Sequence, residues 1–112
     1  PMTGITTHVL DIHTGRPMGG VQVELYDLAS DPPARIANAR TNADGRTDTP
    51  MLPGQAARAG HFELRFHVGD YFKSADVLTE VVPVRFRLFD AKQHYHVPML
   101  CAPWYFSTYR GS

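Results

Sequence analysis

The sequence has little cysteine: a single residue, Cys101, excludes a framework of internal disulfides. Its apolar neighbours Met99, Leu100 and Ala102 predict an inert buried thiol, not an exposed nucleophile. Because a lone cysteine favours a reducing compartment, we expect a cytoplasmic location. A periplasmic location is the alternative, if a signal peptide was removed before Pro1.

An excess of charge of one sign is also missing. Eleven Lys and Arg residues balance eleven Asp and Glu residues, and no basic run occurs, so we expect neither a nucleic-acid nor a membrane partner. The apolar runs are shorter than the ~20 residues of a membrane-spanning helix, and residues 1–12 lack the apolar core of a signal peptide. The 112 residues predict one domain over residues 1–112.

Motifs that bind metals are scarce. The sequence contains no Cys-x-x-Cys motif, and His94 and His96, spaced by one residue, supply at most two nitrogen ligands. A further ligand would have to come from His8 or from another subunit. We therefore predict no native metal site, and no cofactor.

What the sequence does contain is an alternation of apolar and polar residues with a period of two, which is typical of half-buried β-strands. It is clearest in residues 21–26, 61–68 and 84–88. Turns rich in Gly, Pro, Asp and Asn separate such segments. Weaker strand candidates are residues 5–12, 36–42, 46–49, 95–101 and 106–109.

About eight short strands predict an all-β fold, specifically a β-sandwich. Between residues 69 and 79, Phe72, Ala75 and Val77 are close to helical spacing, so we expect one short helix there. The strand at 95–101 has few charges to guard a sheet edge, which favours association of subunits.

The strand after Gln93 carries chemically capable groups. Alternation places Tyr95 and Val97 on one face and His94 and His96 on the other, so a buried Tyr95 face would turn both imidazoles away from the core. Two imidazoles at this spacing suit an acid–base pair, because imidazole titrates near neutral pH.

Two further polar residues are candidates only in combination. Arg46 follows the turn Ala43-Asp44-Gly45, in which we expect a positive φ at Gly45. Taken alone, His8 is more typical of a strand histidine whose hydrogen bonds are made within the fold than of a catalyst. Arg46 alone is more typical of a solvated surface group. The strand periodicity alone does not show that either residue lies near His96.

Four segments of the chain form a combined pattern: Thr7-His8-Val9-Leu10-Asp11 with Gly15-Arg16-Pro17, Thr41-Asn42-Ala43-Asp44-Gly45-Arg46, His94-Tyr95-His96-Val97-Pro98 and Ser107-Thr108-Tyr109-Arg110-Gly111-Ser112. This pattern resembles the transthyretin-related 5-hydroxyisourate hydrolase family, and the resemblance runs from about residue 5 to residue 112. The terminal tetrapeptide Tyr109-Arg110-Gly111-Ser112 is the specific part, since it distinguishes the enzymes from the transthyretin hormone carriers.

The resemblance implies a transthyretin-like sandwich of two four-stranded sheets with one short helix. It also implies a homotetramer with active sites where two dimers meet, and hydrolysis of the small molecule 5-hydroxyisourate in urate breakdown. The family's catalytic residues match His8, Arg46 and His96, and its substrate-binding residues match Arg46, Tyr109, Arg110, Gly111 and Ser112.

Two other functions stay open at this point. A transthyretin-like carrier of a small aromatic ligand would share the fold, which by itself does not decide function. A metal-binding or purely structural interaction module is the third possibility. A channel for an apolar ligand should not be lined by His8, Arg46 and His96, and this polarity favours the enzyme.

Overall fold

The structure is a computed structural model that describes residues 4–73 and 76–112. Almost all of the regular secondary structure in the described residues is β-strand, arranged in two sheets. The strands are β1 (Gly4–Asp11), β2 (Arg16–Pro17), β3 (Gln22–Asp27), β4 (Ala34–Arg40), β5 (Leu52–Pro53), β6 (Gly60–Phe66), β7 (Val82–Leu88), β8 (His94–Ala102) and β9 (Tyr105–Thr108).

The first sheet has the strand order β2-β1-β8-β9, and β5 also pairs with β1. The second sheet has the order β4-β3-β6-β7 and is antiparallel throughout. Strands β1 and β8 are parallel and stay in register from the pair Gly4 and His94 to the pair Asp11 and Cys101. The predicted β-sandwich of two sheets is confirmed.

The core lies between the inner faces of the two sheets, as the alternation predicted. In β3 the side chains of Val23 and Leu25 are fully buried, and Leu64 and Phe66 of β6 are fully buried beside them. Cys101 is a buried free thiol, as expected, and burial raises its pKa to about 11. This thiol is therefore protonated and unreactive at neutral pH.

Three local predictions differ from the structure. Residues 46–49 form no strand, and Arg46 makes only an isolated bridge with His8. Strands β2 and β5 were not predicted, because two residues are too few to show alternation. The strand at 95–101 is not a sheet edge, since β8 pairs with β1 on one side and β9 on the other.

The expected helix between residues 69 and 79 is reduced to one turn. A 3-10 helix spans Val68–Asp70, and the N–H groups of Tyr71 and Phe72 both donate to the Val68 carbonyl. Leu78 is 76% exposed, so the apolar residues of this segment do not share one buried helical face, and Ala75 lies outside the described residues. No helix in residues 4–73 and 76–112 is long and apolar enough to cross a membrane.

The turn before Arg46 fixes where that residue enters the sheet. Gly45 has φ of 75°, which confirms the prediction of a positive value, and its carbonyl accepts the N–H of Val9 at 2.8 Å. The Asn42 side chain accepts the N–H groups of Asp44 and Arg46 at 2.9 and 3.2 Å. A Cβ on Gly45 would lie 2.4 Å from the Val9 carbonyl oxygen, so the turn can approach β1 this closely only with glycine.

We expect Gly45→Ala to destabilise the protein more than Gly15→Ala. Both glycines have φ of 75°, so each alanine brings the strain of a left-handed backbone, about 1–2 kcal/mol. Only Gly45→Ala adds a clash with Val9, since no heavy atom lies within 4 Å of a Cβ at Gly15, and this clash should cost roughly 1–3 kcal/mol more. Urea unfolding at one protein concentration measures the difference, and equal losses would contradict the close approach of the turn.

Candidate active site

The candidate site begins on the outer face of the β1–β8 pair. Thr6 lies opposite His96 in the register, and the His94 and His96 rings are nearly parallel with their centres 6.3 Å apart. The Thr6 hydroxyl lies 3.0 Å from His94 Nε2 and 2.8 Å from His96 Nδ1. The inner-facing Tyr95 and Val97 are buried, so the prediction that both imidazoles leave the core is confirmed.

A cavity of about 580 Å³ opens beside these imidazoles. Arg46, which follows the Gly45 turn, lines the cavity together with the histidines and residues 47–50. His8 lies next to the cavity without lining it, and its backbone bridges to Arg46. The polar groups that line the cavity are Thr6, Thr7, Arg46, His94, His96 and Ser112, with those of residues 47–49.

The environment keeps two imidazoles neutral. Burial lowers the pKa of His96 below its ordinary value, and the positive charge of Arg46 lowers it further, with smaller effects of His94 and His8. The pKa of His8 is likewise lowered, first by burial and then by Arg46. Since the ordinary histidine pKa is about 6.5, both rings are mainly unprotonated at neutral pH.

The end of the chain packs onto the histidine strand. The Gly111 N–H donates to the His96 carbonyl oxygen at 2.8 Å, and the Thr108 hydroxyl donates to the Pro98 carbonyl at 2.6 Å. A Cβ on Gly111 would lie 2.8 Å from His96 Cδ2, closer than side chains tolerate. Glycine at this position therefore lets the tail lie against the imidazole, and it brings Ser112 into the cavity wall.

In the single chain, the side chains of Tyr109 and Arg110 do not face the imidazole cavity. Tyr109 and Arg110 line a different cavity, of about 180 Å³. The Arg110 guanidinium lies 4.4 Å from the centre of the Tyr95 ring and donates to the His94 carbonyl oxygen at 2.9 Å. Arg110 thus fastens the tail to β8, and its side chain does not reach the imidazole cavity.

Thr6 was not singled out from the sequence as a site residue, nor were residues 47–50 of the cavity wall. A signal for Thr6 was present, because it is two residues from His8 and alternation places both on one strand face. Among the described residues no group of three or more His, Cys, Asp or Glu side chains is arranged to hold a metal ion. Two neutral imidazoles beside a guanidinium in a cavity of this size are typical of enzymes that move protons on a small polar substrate.

Comparisons with known proteins agree with this class. The profile described as "HIUase/Transthyretin family" matches residues 5–111. The 5-hydroxyisourate hydrolase 2 of Rhizobium meliloti is 48% identical over 96% of this chain and 95% of its own. The Klebsiella pneumoniae 5-hydroxyisourate hydrolase structure has a TM-score of 0.82 at 34% identity, covering 98% of this chain and 94% of that chain.

A transthyretin shares the fold at lower identity. The structure of transthyretin from Sparus aurata has a TM-score of 0.87 at 23% identity, covering 96% of this chain and 95% of that chain. The chain belongs to the HIUase/transthyretin family, and its similarity to the hydrolases makes it an enzyme of that family.

We expect Arg46→Gln to raise the pKa of His96 and of His8. Both values lie below about 6.5 in the wild type, and loss of the guanidinium charge removes one of the two largest causes. Burial persists, so the His96 pKa should rise without exceeding the ordinary value, while Asp44 continues to raise the His8 pKa. NMR titration of the imidazole resonances measures the change, and Arg87→Gln, an exposed change on β7, serves as control. Unchanged values in Arg46→Gln would contradict the proximity of this guanidinium.

Proposed function

We propose that this protein hydrolyses 5-hydroxyisourate to 2-oxo-4-hydroxy-4-carboxy-5-ureidoimidazoline in urate breakdown. The observation that carries the proposal is the convergence of His96 and Arg46 on one polar cavity, with His8 beside it. The 48% identity to a 5-hydroxyisourate hydrolase supports the choice of substrate.

The reaction opens a six-membered ring by hydrolysis of a cyclic amide. A base must take a proton from the attacking water, a donor must stabilise the negative charge that forms on the carbonyl oxygen, and the departing nitrogen must receive a proton. Either His8 or His96 is suited to take the proton from water, because a base has to be unprotonated at the working pH. No step requires a cofactor or a metal ion.

Arg46 supplies the positive charge. Its planar guanidinium can hold the polar substrate through paired hydrogen bonds and stabilise the developing oxyanion, an interaction that strengthens as the charge forms. The same charge lowers the pKa of the neighbouring imidazoles and so keeps the base available.

The tail residues 109–112 can support substrate binding from different positions. Gly111 and Ser112 lie at the imidazole cavity, so they are placed to contact a ligand there. Tyr109 is 58% exposed and faces away within the single chain, where a neighbouring subunit can meet it. Arg110 acts through the position of the tail, since it holds the His94 carbonyl oxygen.

A carrier of an apolar ligand fits the cavity less well. Its wall includes the Arg46 guanidinium, to which an apolar ligand would offer no hydrogen-bond partner. We therefore favour the hydrolase.

His96→Asn should lower the turnover of 5-hydroxyisourate by roughly 10²- to 10⁴-fold, a range that covers the usual contributions of a positioned acid–base group and of an oxyanion donor. His96 is only partly buried, so the fold should persist. The ultraviolet decay of freshly generated 5-hydroxyisourate measures the rate. His61→Asn, an exposed histidine change on β6, is the matched control and should keep full activity. Wild-type turnover in His96→Asn would refute the assignment.

We further propose that the chain works as a homotetramer with its sites at the interface between two dimers. Support comes from β9, an edge strand whose aromatic side chains are exposed in the single chain: Tyr105 by 47% and Phe106 by 41%, with Trp104 just before it at 64%. Exposed apolar side chains along a sheet edge are typical of a surface that pairs with another subunit.

Native mass spectrometry of the full chain should show a tetramer. Phe106→Lys should weaken it, because a charge would be buried where subunits meet, whereas Ile36→Lys on the edge strand β4 should not. A monomer with full hydrolase activity would rule out the tetrameric site.

A further inference from the structure

Thr6 joins two imidazoles through one hydroxyl group. Its oxygen is within hydrogen-bond distance of His94 Nε2 and of His96 Nδ1. A hydroxyl carries a single proton, so Thr6 can donate to only one of these nitrogens, and the other must donate to Thr6 if both bonds exist. The bridge therefore has a direction, and that direction fixes which nitrogen of each ring carries the proton.

The second nitrogen of the His94 ring decides the direction. His94 Nδ1 is buried, and it has no hydrogen-bond partner within residues 4–73 and 76–112. Buried N–H groups left without an acceptor are rarer in proteins than acceptors left without a donor. The His94 ring therefore leaves Nδ1 bare and carries a proton on Nε2, which donates to the Thr6 oxygen.

The remaining bond follows from the first. With its oxygen accepting from His94, the Thr6 hydroxyl donates its own proton to His96 Nδ1, 2.8 Å away. Neutral His96 then carries its proton on Nε2, the ring nitrogen that remains for a ligand in the cavity. The chain of donors runs from His94 through Thr6 to His96 and ends in an N–H group at the cavity.

We propose that Thr6 is a positioning residue that makes His96 a hydrogen-bond donor to the substrate carbonyl, so that His8 is the base. This assignment rests on the proposed hydrolase function and adds to it the division of labour between the two histidines. An imidazole whose Nε2 carries the proton cannot take a second proton from water at that atom, and its Nδ1 is occupied by Thr6.

The reaction balances with these roles. Neutral His8 takes a proton from water, and the resulting hydroxide adds to the carbonyl carbon. The electron pair displaced onto the oxygen is stabilised by the His96 Nε2–H and by Arg46. When the ring C–N bond breaks, the departing nitrogen takes the proton from His8, which returns to its neutral form. His96 keeps its proton throughout.

Two-bond ¹H–¹⁵N NMR spectra of the labelled full chain at pH 7.5 test the tautomers without substrate. We expect a protonated Nε2 and a bare Nδ1 on both His94 and His96, and Thr6→Ser should keep this pattern because the hydroxyl is retained. Thr6→Val, which has the same shape and no hydroxyl, should leave His96 as a mixture of tautomers. A wild-type His96 with its proton on Nδ1 would overturn the proposal.

Kinetics supply the second readout. Thr6→Val should lower kcat by about 10- to 100-fold, the scale of a misplaced catalytic group, with a smaller change in KM, and Thr6→Ser should stay within about twofold of the wild type. Wild-type kcat in Thr6→Val would refute the role of the hydroxyl. If the wild type fails to accelerate 5-hydroxyisourate decay, the hydrolase function is wrong, whereas the tautomer spectra still decide the direction of the bridge.

Discussion

The parallel pairing of β1 with β8 sets the place of every imidazole in the candidate site. Ile5 and Val9 of β1 and Met99 of β8 have no exposed surface, and their burial fixes the register of the pair. Because side chains alternate along a strand, the same register turns Thr6 and His96 to the opposite face. A slip of one residue would bury the polar set and expose the apolar one, so the apolar packing also maintains the geometry of the cleft.

The position of Arg46 depends on backbone geometry, and its charge affects the neighbouring imidazoles. Its position comes from the glycine turn at residues 43–45, which the Asn42 side chain stabilises and the Val9 backbone bounds. The guanidinium disfavours a positive charge on the neighbouring imidazoles. In the proposed mechanism it also favours a negative charge on the substrate oxygen, so one side chain on a loop would act on both the base and the reacting group.

The sequence predicted the parts of the fold in which local pattern dominates. Strands β3 and β6 alternate strictly between apolar and polar residues, so their periodicity is strong, although Glu24 and Glu63 on the outer face are buried as well. The helix near Phe72 was overestimated because apolar spacing does not reveal that Leu78 faces solvent. The site could not be assembled from periodicity, since His8 and His96 meet only through long-range strand pairing. The family resemblance supplied those residues, but not Thr6, whose role depends on hydrogen-bond geometry.

The two strands that build the cleft come from opposite ends of the chain, and Thr6 and His96 are 90 residues apart. Closing such a loop loses conformational entropy before the stabilising contacts between the strands form, so pairing of this kind is slow. A nascent polypeptide has no cleft until β8 has left the ribosome and found β1. The appearance of the site is therefore a late event in folding and marks a fully folded subunit.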